Sequence, residues 1–242
     1  MLDIPGARDV GQVTRVAVLS GSPAPDSRTW SLAAMVAERL AAQGLEVELI
    51  DLRALPAADM LLCATDAGPV RAALDAVAWA HGVVVVTPVH HAAYSGLLKV
   101  FLDLLPRSAL AGKVVLPMAV GGSPAHVLTI DYALRPVLVS LGAVHVTRGQ
   151  FLLHLEIERG PDGATCLQWE AERRMEGVLR EFTLSMRLHA PGEGVADPRP
   201  VVVPRPAPSL AERPAVSFNG TAPVVCHDET LVGAVAAGVQ GG

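Results

Sequence analysis

Cysteine, clustered positive charge and long apolar runs are all scarce in this chain of 242 residues. Its three cysteines are far apart and odd in number, which fits neither a secreted disulfide framework nor a paired-cysteine metal site. Lysine and arginine number 19 against 24 acidic residues, without a basic cluster, so nucleic acid is not an expected partner. No apolar run approaches the ~18 residues that span a membrane, and no signal peptide is recognisable. We therefore expect a soluble, cytoplasmic protein with neither a nucleic-acid nor a membrane partner.

Aromatic residues are also few, at 4% of the chain, whereas 51% of the residues are hydrophobic. Aliphatic side chains and alanine must therefore fill the core. The pattern of composition predicts a loose leader over 1–12, a globular domain over 13–188 and a proline-rich, flexible extension over 189–242. The apolar, glycine-rich end of that extension is either a disordered tail or a docking peptide for an unknown partner.

Strand-like and helix-like patterns alternate through the globular part. β-Branched runs bounded by glycine and proline predict strands, and apolar residues at helical spacing predict helices between them. No hairpin signal appears in the first half, so the alternation predicts a doubly wound α/β domain around a five-stranded parallel sheet. We expect strands at 13–20, 47–52, 82–87, 113–120 and 143–147, and helices at 29–43, 70–80, 95–105, 131–141 and 169–188.

Two prolines predict local departures from regular structure. Pro88 cannot donate to a central ladder, so the third strand is expected to stop at Thr87. Pro136 lies inside the helix predicted at 131–141, where it forces a kink or a local widening of the helical ladder. The last helix carries an apolar stripe that fits core or subunit contact better than a cofactor site. Its members are Met175, Leu179, Phe182 and Met186.

Three loops follow strands of the predicted sheet, and we name them in chain order. The first loop is 20–28, the second loop is 87–95 and the third loop is 120–126. The carboxyl ends of parallel strands meet at one edge of the sheet, where open α/β sheets bind their ligands. We therefore expect the three loops to converge on one crevice.

The first loop has the components of a phosphate cradle. Ser22, Ser27 and Thr29 offer hydroxyls, the guanidinium of Arg28 can bind a dianion bidentately, and the next helix begins with free N–H groups. Ordinary N-capping by Ser27 or Thr29, beside a solvated Arg28, explains the same residues equally well. Neither a Walker A sequence nor the G-x-G-x-x-G fingerprint occurs, so the phosphate of a mononucleotide is the candidate that remains.

The second and third loops could border a planar ring. Pro88, Val89 and His90 offer backbone contacts and a flat edge, while Gly121 and Gly122 allow close approach of the backbone. By itself, His90 is more often a solvated or capping side chain than a ligand. No third metal-type ligand is suitably spaced, so no metal site is predicted.

No side chain of the chain is recognisable as a catalytic nucleophile, acid or base. No nucleophile elbow occurs, and Ser95 is better explained as the N-cap of the following helix. Cys63, without an adjacent His or Lys, fits an inert small hydrophobe. A bound cofactor is therefore expected to carry the reaction, while the protein binds and orients it.

Several motifs occur together and in order between residues 13 and 185. They are Gly21-Ser22-Pro23 with Ser27-Arg28, Thr87-Pro88-Val89, Ala92-Ala93-Tyr94-Ser95-Gly96, Gly121-Gly122 and Asp131-Tyr132-Ala133-Leu134. In this combination they resemble the NADPH-dependent FMN reductases of flavodoxin-like fold. The resemblance is closest to the reductase component of two-component alkanesulfonate monooxygenase systems.

This resemblance implies that FMN and NADPH are the cofactors and that FMN binds at the three loops. NADPH would transfer a hydride to FMN, and reduced FMN would pass to a separate monooxygenase of sulfonate metabolism. The phosphate would lie on 22–29, and the ring beside the second and third loops. The residues implied to bind FMN are Ser22, Ser27, Arg28, Thr29, Pro88, Val89, His90, Ser95, Gly121 and Gly122.

The resemblance also implies an oligomer. Tyr132 corresponds to a family tyrosine in a π-helical insertion at a tetramer interface, where it is associated with exchangeable flavin. Three positions depart from the family: Ala24 stands where arginine is frequent, and His90-His91 replaces a Tyr-Lys pair.

The motifs and the resemblance leave three functions open. The first is an NAD(P)H-dependent FMN reductase that supplies reduced flavin to a partner monooxygenase. The second is a quinone, azo or metal-ion reductase that keeps FMN bound. The third is a flavodoxin-like electron carrier without enzymatic activity, against which Arg28 argues because such carriers bind phosphate without arginine.

Overall fold

A computed structural model describes residues 14–25, 27–66, 68–159 and 164–189. The predicted leader 1–12 lies outside the described residues, as does the predicted extension 189–242 except for its first residue. The division of the chain into three parts therefore stays a prediction. Among the described residues, no helix is both long and apolar enough to cross a membrane.

The strands are β1 (Arg15–Ser20), β2 (Glu46–Asp51), β3 (Gly82–His90), β4 (Ala93–Tyr94), β5 (Val114–Gly121), β6 (His145–Val146), β7 (Gln150–Leu153), β8 (Ile157–Arg159) and β9 (Thr165–Leu167). β3 and β5 are the central strands, and nearly all of their residues are buried. Their unbroken aliphatic runs are typical of parallel strands that are covered on both faces.

The helices are α1 (Arg28–Ala42), α2 (Ala57–Leu61), α3 (Gly68–Trp79), α4 (Gly96–Leu104), α5 (Arg135–Ser140) and α6 (Trp169–Leu188). Serine caps the start of two of them, since a serine hydroxyl can accept one of the N–H groups that a helix leaves unpaired. Ser27 accepts from Trp30 N at 3.1 Å in α1, and Ser95 accepts from Leu98 N at 3.1 Å in α4.

The main sheet has the strand order β2-β1-β3-β5, and β6 and β7 share the fifth position beside β5. These strands all run parallel, which confirms the predicted doubly wound α/β architecture. The chain moves outward from β1 to β2 and then crosses back to β3. Ligands of such sheets bind outside the carboxyl ends of the strands where the direction of winding reverses.

Apolar side chains form a separate core on each face of the sheet. Val84 and Val86 point to the core under α1 and α6, and Val83 and Val85 point to the core under α3, α4 and α5. The apolar stripe of the last helix is core, as predicted. Its buried members are Met175, Leu179, Phe182 and Met186.

The prediction that Pro88 ends the third strand is wrong, because β3 continues to His90 and Pro88 pairs with Val120 of β5. Proline is tolerated here because its nitrogen points toward β1, and β1 has already ended at this level of the sheet. The carbonyl of Val86, on the same side of the strand, accepts from Gly21 N at 2.8 Å, and β1 pairs no further than Val86. Since β1 has ended there, the missing N–H of Pro88 removes no ladder hydrogen bond.

A hairpin joins β3 to the short antiparallel β4, although the sequence gives no hairpin signal here. The turn consists of His91 and Ala92, whose φ angles are 48° and 60°. Two-residue turns of this kind are usually built from Asn and Gly, because other residues pay a cost of about 1 kcal/mol at positive φ. The turn is therefore strained, and ordinary turn chemistry cannot reveal it.

The fifth strand is shorter than predicted, since only His145–Val146 of the predicted range 143–147 pairs with β5. The chain leaves the sheet over 147–149 and returns as β7 beside the far half of β5. The guanidinium of Arg135 donates to the carbonyls of Val146 at 2.9 Å and Thr147 at 3.2 Å at this interruption. Neither β7 nor the antiparallel pair β8–β9 is predicted from the sequence.

The helix predicted at 131–141 is irregular, as the proline within it indicates. Residues Ile130–Leu134 form a π-helix, and α5 follows directly with Pro136 in its first turn. A π-helix holds an additional residue per turn and is a frequent mark of functional sites. The predicted widening of the ladder is confirmed, and Tyr132 lies within it.

Candidate active site

The backbone of Gly21 joins the first loop to the second. Its N–H donates to the carbonyl of Val86 at 2.8 Å, and its carbonyl accepts from the hydroxyl of Ser95. A Cβ atom at Gly21 would lie 2.9 Å from the Cβ of Leu98 in α4. Glycine is required for so close an approach, so the first loop lies directly against the start of α4.

Ser95 is buried, and all of its hydrogen-bonding groups are used by the protein. Its hydroxyl accepts from Leu98 N, which confirms the predicted N-cap, and donates to Gly21. Its backbone N–H donates to Oγ1 of the buried Thr87 at 3.0 Å. The residue therefore fixes the relative position of two loops, and its hydroxyl is not free to act as a nucleophile.

The first loop combines N-capping with groups that remain available to an anion. Ser27 caps α1, and the buried Ser22 accepts from Ala24 N at 3.3 Å. Helix geometry leaves the N–H groups of Arg28 and Thr29 without intrahelical acceptors. Arg28 is exposed, and its Nε donates to the carbonyl of Ile157 at 3.3 Å. The two explanations of this loop are thus compatible: one serine caps the helix while its neighbours remain open.

The glycines of the third loop have different surroundings. Gly121 ends β5 and is buried, and a Cβ atom there would lie 2.8 Å from Cζ of Phe151 in β7. Gly122 is exposed, and an added Cβ would meet only Nδ1 of His154, at 3.8 Å, among the described residues. Packing against Phe151 therefore explains why residue 121 is glycine, whereas the space beside Gly122 at the sheet edge is open.

His154 lies at the same edge and is absent from the predicted set of site residues. It opens a 3₁₀ turn, His154–Glu156, directly after β7. Burial lowers the pKa of His154 from its ordinary value, and the nearby positive charges of Arg28 and His90 lower it further. The contact with Gly122 places His154 beside the end of β5, and the hydrogen bond from Arg28 to Ile157 brings the arginine to the same segment. At the end of β3, Pro88 is buried and His90 is exposed.

Tyr132 lines the same pocket as Ala92 of the hairpin turn and is not part of the loop that bears the predicted phosphate site. Its side chain is 79% exposed. The hydroxyl of Thr129 donates to the carbonyl of Ala92 at 3.3 Å, which ties the approach to the π-helix to the turn. A shallow pocket of about 360 Å³ lies between them. Its lining residues are Ala92, Ala125, Leu128, Thr129 and Tyr132.

The strand order, with loops following β1, β3 and β5 at one edge of the sheet, is that of a flavodoxin-like protein. The sequence profile of the family described as NADPH-dependent FMN reductase matches residues 14–157. The chain belongs to this family. It is accordingly an oxidoreductase with NAD(P)H-dependent FMN reductase activity, FMN being the flavin and NADPH the electron donor.

Named relatives agree with this assignment. An FMN reductase (NADPH) of Pseudomonas putida strain KT2440 is 45% identical over 173 residues, which cover 71% of this chain and 87% of the relative. SfnF of Pseudomonas putida, an NADH-dependent FMN reductase, is 36% identical over 129 residues, which cover 52% of this chain and 69% of SfnF. The apo structure of an NADH:FMN oxidoreductase (EMOB) is 36% identical, with a TM-score of 0.66, and the match covers 72% of this chain and 90% of that chain.

The residues present at the sheet edge fit a flavin mononucleotide. In the described part of the chain, Oγ of Ser20 and Nδ1 of His126 are buried without a hydrogen-bond partner. Ser20 ends β1 where the first loop starts, and His126 ends the third loop. Buried polar atoms are normally paired, so unpaired ones at this edge are consistent with a polar ligand. No group of three or more metal-ligating side chains occurs among the described residues.

Proposed function

We propose that the first loop holds the phosphate of FMN and that the second and third loops border its ring. Arg28 is the observation that carries this proposal. Its Nε is anchored on Ile157, and its terminal nitrogens have no hydrogen-bond partner among the described residues. Together with the open N–H groups at the start of α1, they present a fork of donors suited to a dianion.

We assign the remaining contacts of FMN to the ends of β3 and β5. Pro88 and Val89 offer a buried to half-buried flat edge, and Gly122 leaves open space opposite them. When bound at these residues, FMN would supply the redox chemistry. The protein then needs only to bind and orient the two nucleotides, which agrees with a hydroxyl of Ser95 that is fully engaged in holding the loops.

We further propose that FMN is an exchangeable substrate and that reduced FMN passes to a separate monooxygenase of sulfonate metabolism. Arg28, His90 and Gly122 are all exposed, so the proposed binding crevice is open to solvent along one side. An open crevice favours release of the reduced product over retention. The ordered motifs of the chain support the same role through their resemblance to the reductases of two-component systems.

The test of this function uses purified full-length chain and a chain that ends at His189. We expect both to purify without colour and to oxidise NADPH at a rate that saturates with added FMN. Since the sequence identifies no motif that reads the nucleotide ribose, the same assay with NADH would establish the donor preference. The two chains should be equally active if the domain 13–188 folds independently of the extension 189–242.

Two results would contradict the proposal. Absence of NADPH oxidation over a wide range of FMN concentrations would argue for an electron carrier. Tightly retained FMN with ping-pong kinetics on a quinone would argue for the prosthetic-group reductase. A monooxygenase that co-purifies with the full chain but not with the shortened one would assign the extension to partner docking.

The proposed oligomer uses the surface around the π-helix. Leu128, Tyr132 and Val139 are all more than half exposed. Leu128 lies just before the π-helix, Tyr132 within it and Val139 in α5, four and then seven residues apart. Exposed apolar residues that recur in this way are typical of a subunit contact. We propose that this surface forms the interface of a homo-oligomer, with a tetramer as the expected state.

Replacement of Tyr132 by alanine is expected to make the protein retain FMN, so that it purifies yellow. A π-helix is strained, and burial of the tyrosine ring at a subunit contact would offset that strain. Without the ring, the segment can relax toward a regular helix and move the turn at Ala92, to which Thr129 is bonded. The measurement is the ratio of flavin to protein absorbance after gel filtration.

Tyr132→Phe is the matched control, since it keeps the ring and removes only the hydroxyl. It should remain colourless and keep the oligomeric state of the native chain. If the alanine variant also stays colourless, Tyr132 does not govern flavin exchange.

A further inference from the structure

Three charged side chains on the outer surface of α6 have no ion-pair partner in the described part of the chain. Glu176, Arg180 and Arg187 are exposed, and none of them pairs with a described residue. Three other charged residues of the helix are paired: Glu172, Arg174 and Glu181. Positions four and seven residues apart lie on one side of an α-helix, so the three unpaired charges form a line away from the buried stripe. This line is open to a partner of complementary charge.

Two large apolar side chains accompany the line. Trp169 is 72% exposed and lies seven residues before Glu176, and Leu184 is 53% exposed and lies four residues after Arg180. Tryptophan and arginine are enriched among the residues that dominate the energy of contact surfaces. We call Trp169, Glu176, Arg180, Leu184 and Arg187 the outer face of α6.

The chain leaves α6 at a fixed point beside this face. The backbone N–H and the ring Nδ1 of His189 both lie 2.9 Å from the carbonyl oxygen of Ser185. The ring of His189 also packs on His145, with the ring centroids 4.2 Å apart. Pro191-Gly192 follows almost at once, and a proline–glycine pair favours a turn. The residues after His189, which lie outside the described part, therefore start at the carboxyl end of the outer face and can turn back along it.

The sequence after this turn predicts an extended segment with one patterned face. Asp197 and Arg199 each precede a proline, which biases their backbone toward extended conformations. Alternate side chains of an extended chain lie on the same face. On one face they are Glu193, Val195, Asp197, Arg199, Val201 and Val203. The positions between them hold only glycine, alanine and proline as far as Pro200.

The charges of this segment complement those of the outer face when the helix is read from its carboxyl end. The segment carries acid, acid and base, and the helix carries base, base and acid. At about 3.3 Å per extended residue, the second acid lies ~13 Å beyond the first, and the base ~7 Å further. At 1.5 Å per helical residue, Arg180 lies ~10 Å from Arg187, and Glu176 ~6 Å further. The two patterns therefore match in order and approximately in spacing.

The apolar residues of the segment match the outer face in the same register. Val201 and Val203 lie ~7 Å and ~13 Å beyond Arg199 in an extended chain. Trp169 lies ~10 Å beyond Glu176 along the helix, which is between these two values. The valines would thus reach the level of the exposed indole ring.

We propose that residues 190–203 of this chain fold back antiparallel to α6 and cover its outer face. The two acids of the segment pair with Arg187 and Arg180, its arginine pairs with Glu176, and its last valines cover Trp169. Exposed ion pairs are individually weak, but the covalent link at the end of α6 holds the segment at an effective concentration in the millimolar range. The inference does not rest on the proposed function.

The experiment measures how accessible Trp169 is in the full-length chain, from the wavelength of tryptophan emission and from quenching by acrylamide. Trp30 and Trp79 also emit, so every chain is compared with its own Trp169→Phe form, and the difference reports on Trp169 alone. We expect Trp169 to be shielded in the native chain. Replacement of Glu193 and Asp197 together by lysine should shift its emission to longer wavelength and increase its quenching.

Two further full-length chains make the result specific to the proposed pairing. Addition of Arg180→Glu and Arg187→Glu to the doubly substituted chain restores opposite charges and should restore the shielding of Trp169. Glu212→Lys with Glu229→Lys is the matched control, because it makes the same change of charge outside the segment 190–203. It should leave the emission of Trp169 as in the native chain.

Four results would overturn the inference. They are a Trp169 as accessible in the native chain as in the lysine variant, and a failure of the reversed arginines to restore shielding. Shielding of the native chain that is lost on dilution would assign the outer face to a second copy of the chain. Shielding that appears only when a separate protein is added would assign it to that protein.

Discussion

Arg28→Ala is expected to raise the KM for FMN by about ten- to a hundredfold while kcat changes little. The guanidinium would make charge-assisted hydrogen bonds to the phosphate, and one or two such bonds at roughly 1.5 to 3 kcal/mol correspond to that loss. The phosphate does not react, so its contacts stabilise substrate and transition state alike and their removal appears in KM. Steady-state NADPH oxidation at varied FMN concentration measures both constants.

Two further variants make the result specific to the guanidinium. Arg28→Lys keeps the charge without the planar fork and should recover only part of the affinity. Arg71→Ala is the matched control, because that arginine pairs with Asp75 on the exposed face of α3. It should leave both constants unchanged. If KM for FMN is unaffected in Arg28→Ala, the first loop is not the phosphate site.

Gly21→Ala is expected to destabilise the protein by about 2 to 3 kcal/mol, the upper range for overpacking a tight contact. The new Cβ would lie 2.9 Å from the Cβ of Leu98 and 3.3 Å from the hydroxyl of Ser95. The first of these atoms is fixed to the backbone of α4, so the loop must move instead. That movement breaks the bond between Ser95 and the Gly21 carbonyl.

The measurement is thermal unfolding, where a loss of this size lowers Tm by roughly 4–12 °C for a domain of this length. FMN affinity should fall as well, because the first loop moves away from α4. Gly177→Ala is the control, and it should raise Tm slightly instead of lowering it. An added Cβ there meets nothing within 4 Å, and alanine is the better helix former in the middle of α6. An unchanged Tm for Gly21→Ala would show that the close approach at Gly21 does not constrain the loop.

The central architecture follows from the sequence because its signals are local. The valine run of β3 and the apolar spacing of α6 each suffice to identify the element, and α6 has the predicted bounds of 169–188. The position of the loops at strand ends then follows from the parallel topology alone. Tyr132 in a π-helix is foreseen from the family resemblance and from Pro136.

The remaining features depend on partners that no local pattern shows. β3 can continue through Pro88 only because its pairing with β1 ends at Val86, two residues before the proline. The turn at His91 and Ala92 is imposed by the strands that it joins, against the preference of both residues. β7 owes its place to the far half of β5, which the two-residue β6 leaves unpaired. Its position also brings His154 to the sheet edge, so sequence reasoning that lacks β7 cannot find that residue.

The interrupted fifth strand has a consequence for how copies of this chain can associate. An uncovered sheet edge invites another chain to add a strand, and proteins suppress this with short, broken or charged edges. On one side of the sheet, β6 is two residues long and Arg135 occupies the carbonyls at the break. On the other side, β2 carries Glu46, Glu48 and Asp51. The acidic residues of β2 and the break after β6 thus disfavour strand exchange at these two borders, which favours helical surfaces for the oligomer that we propose.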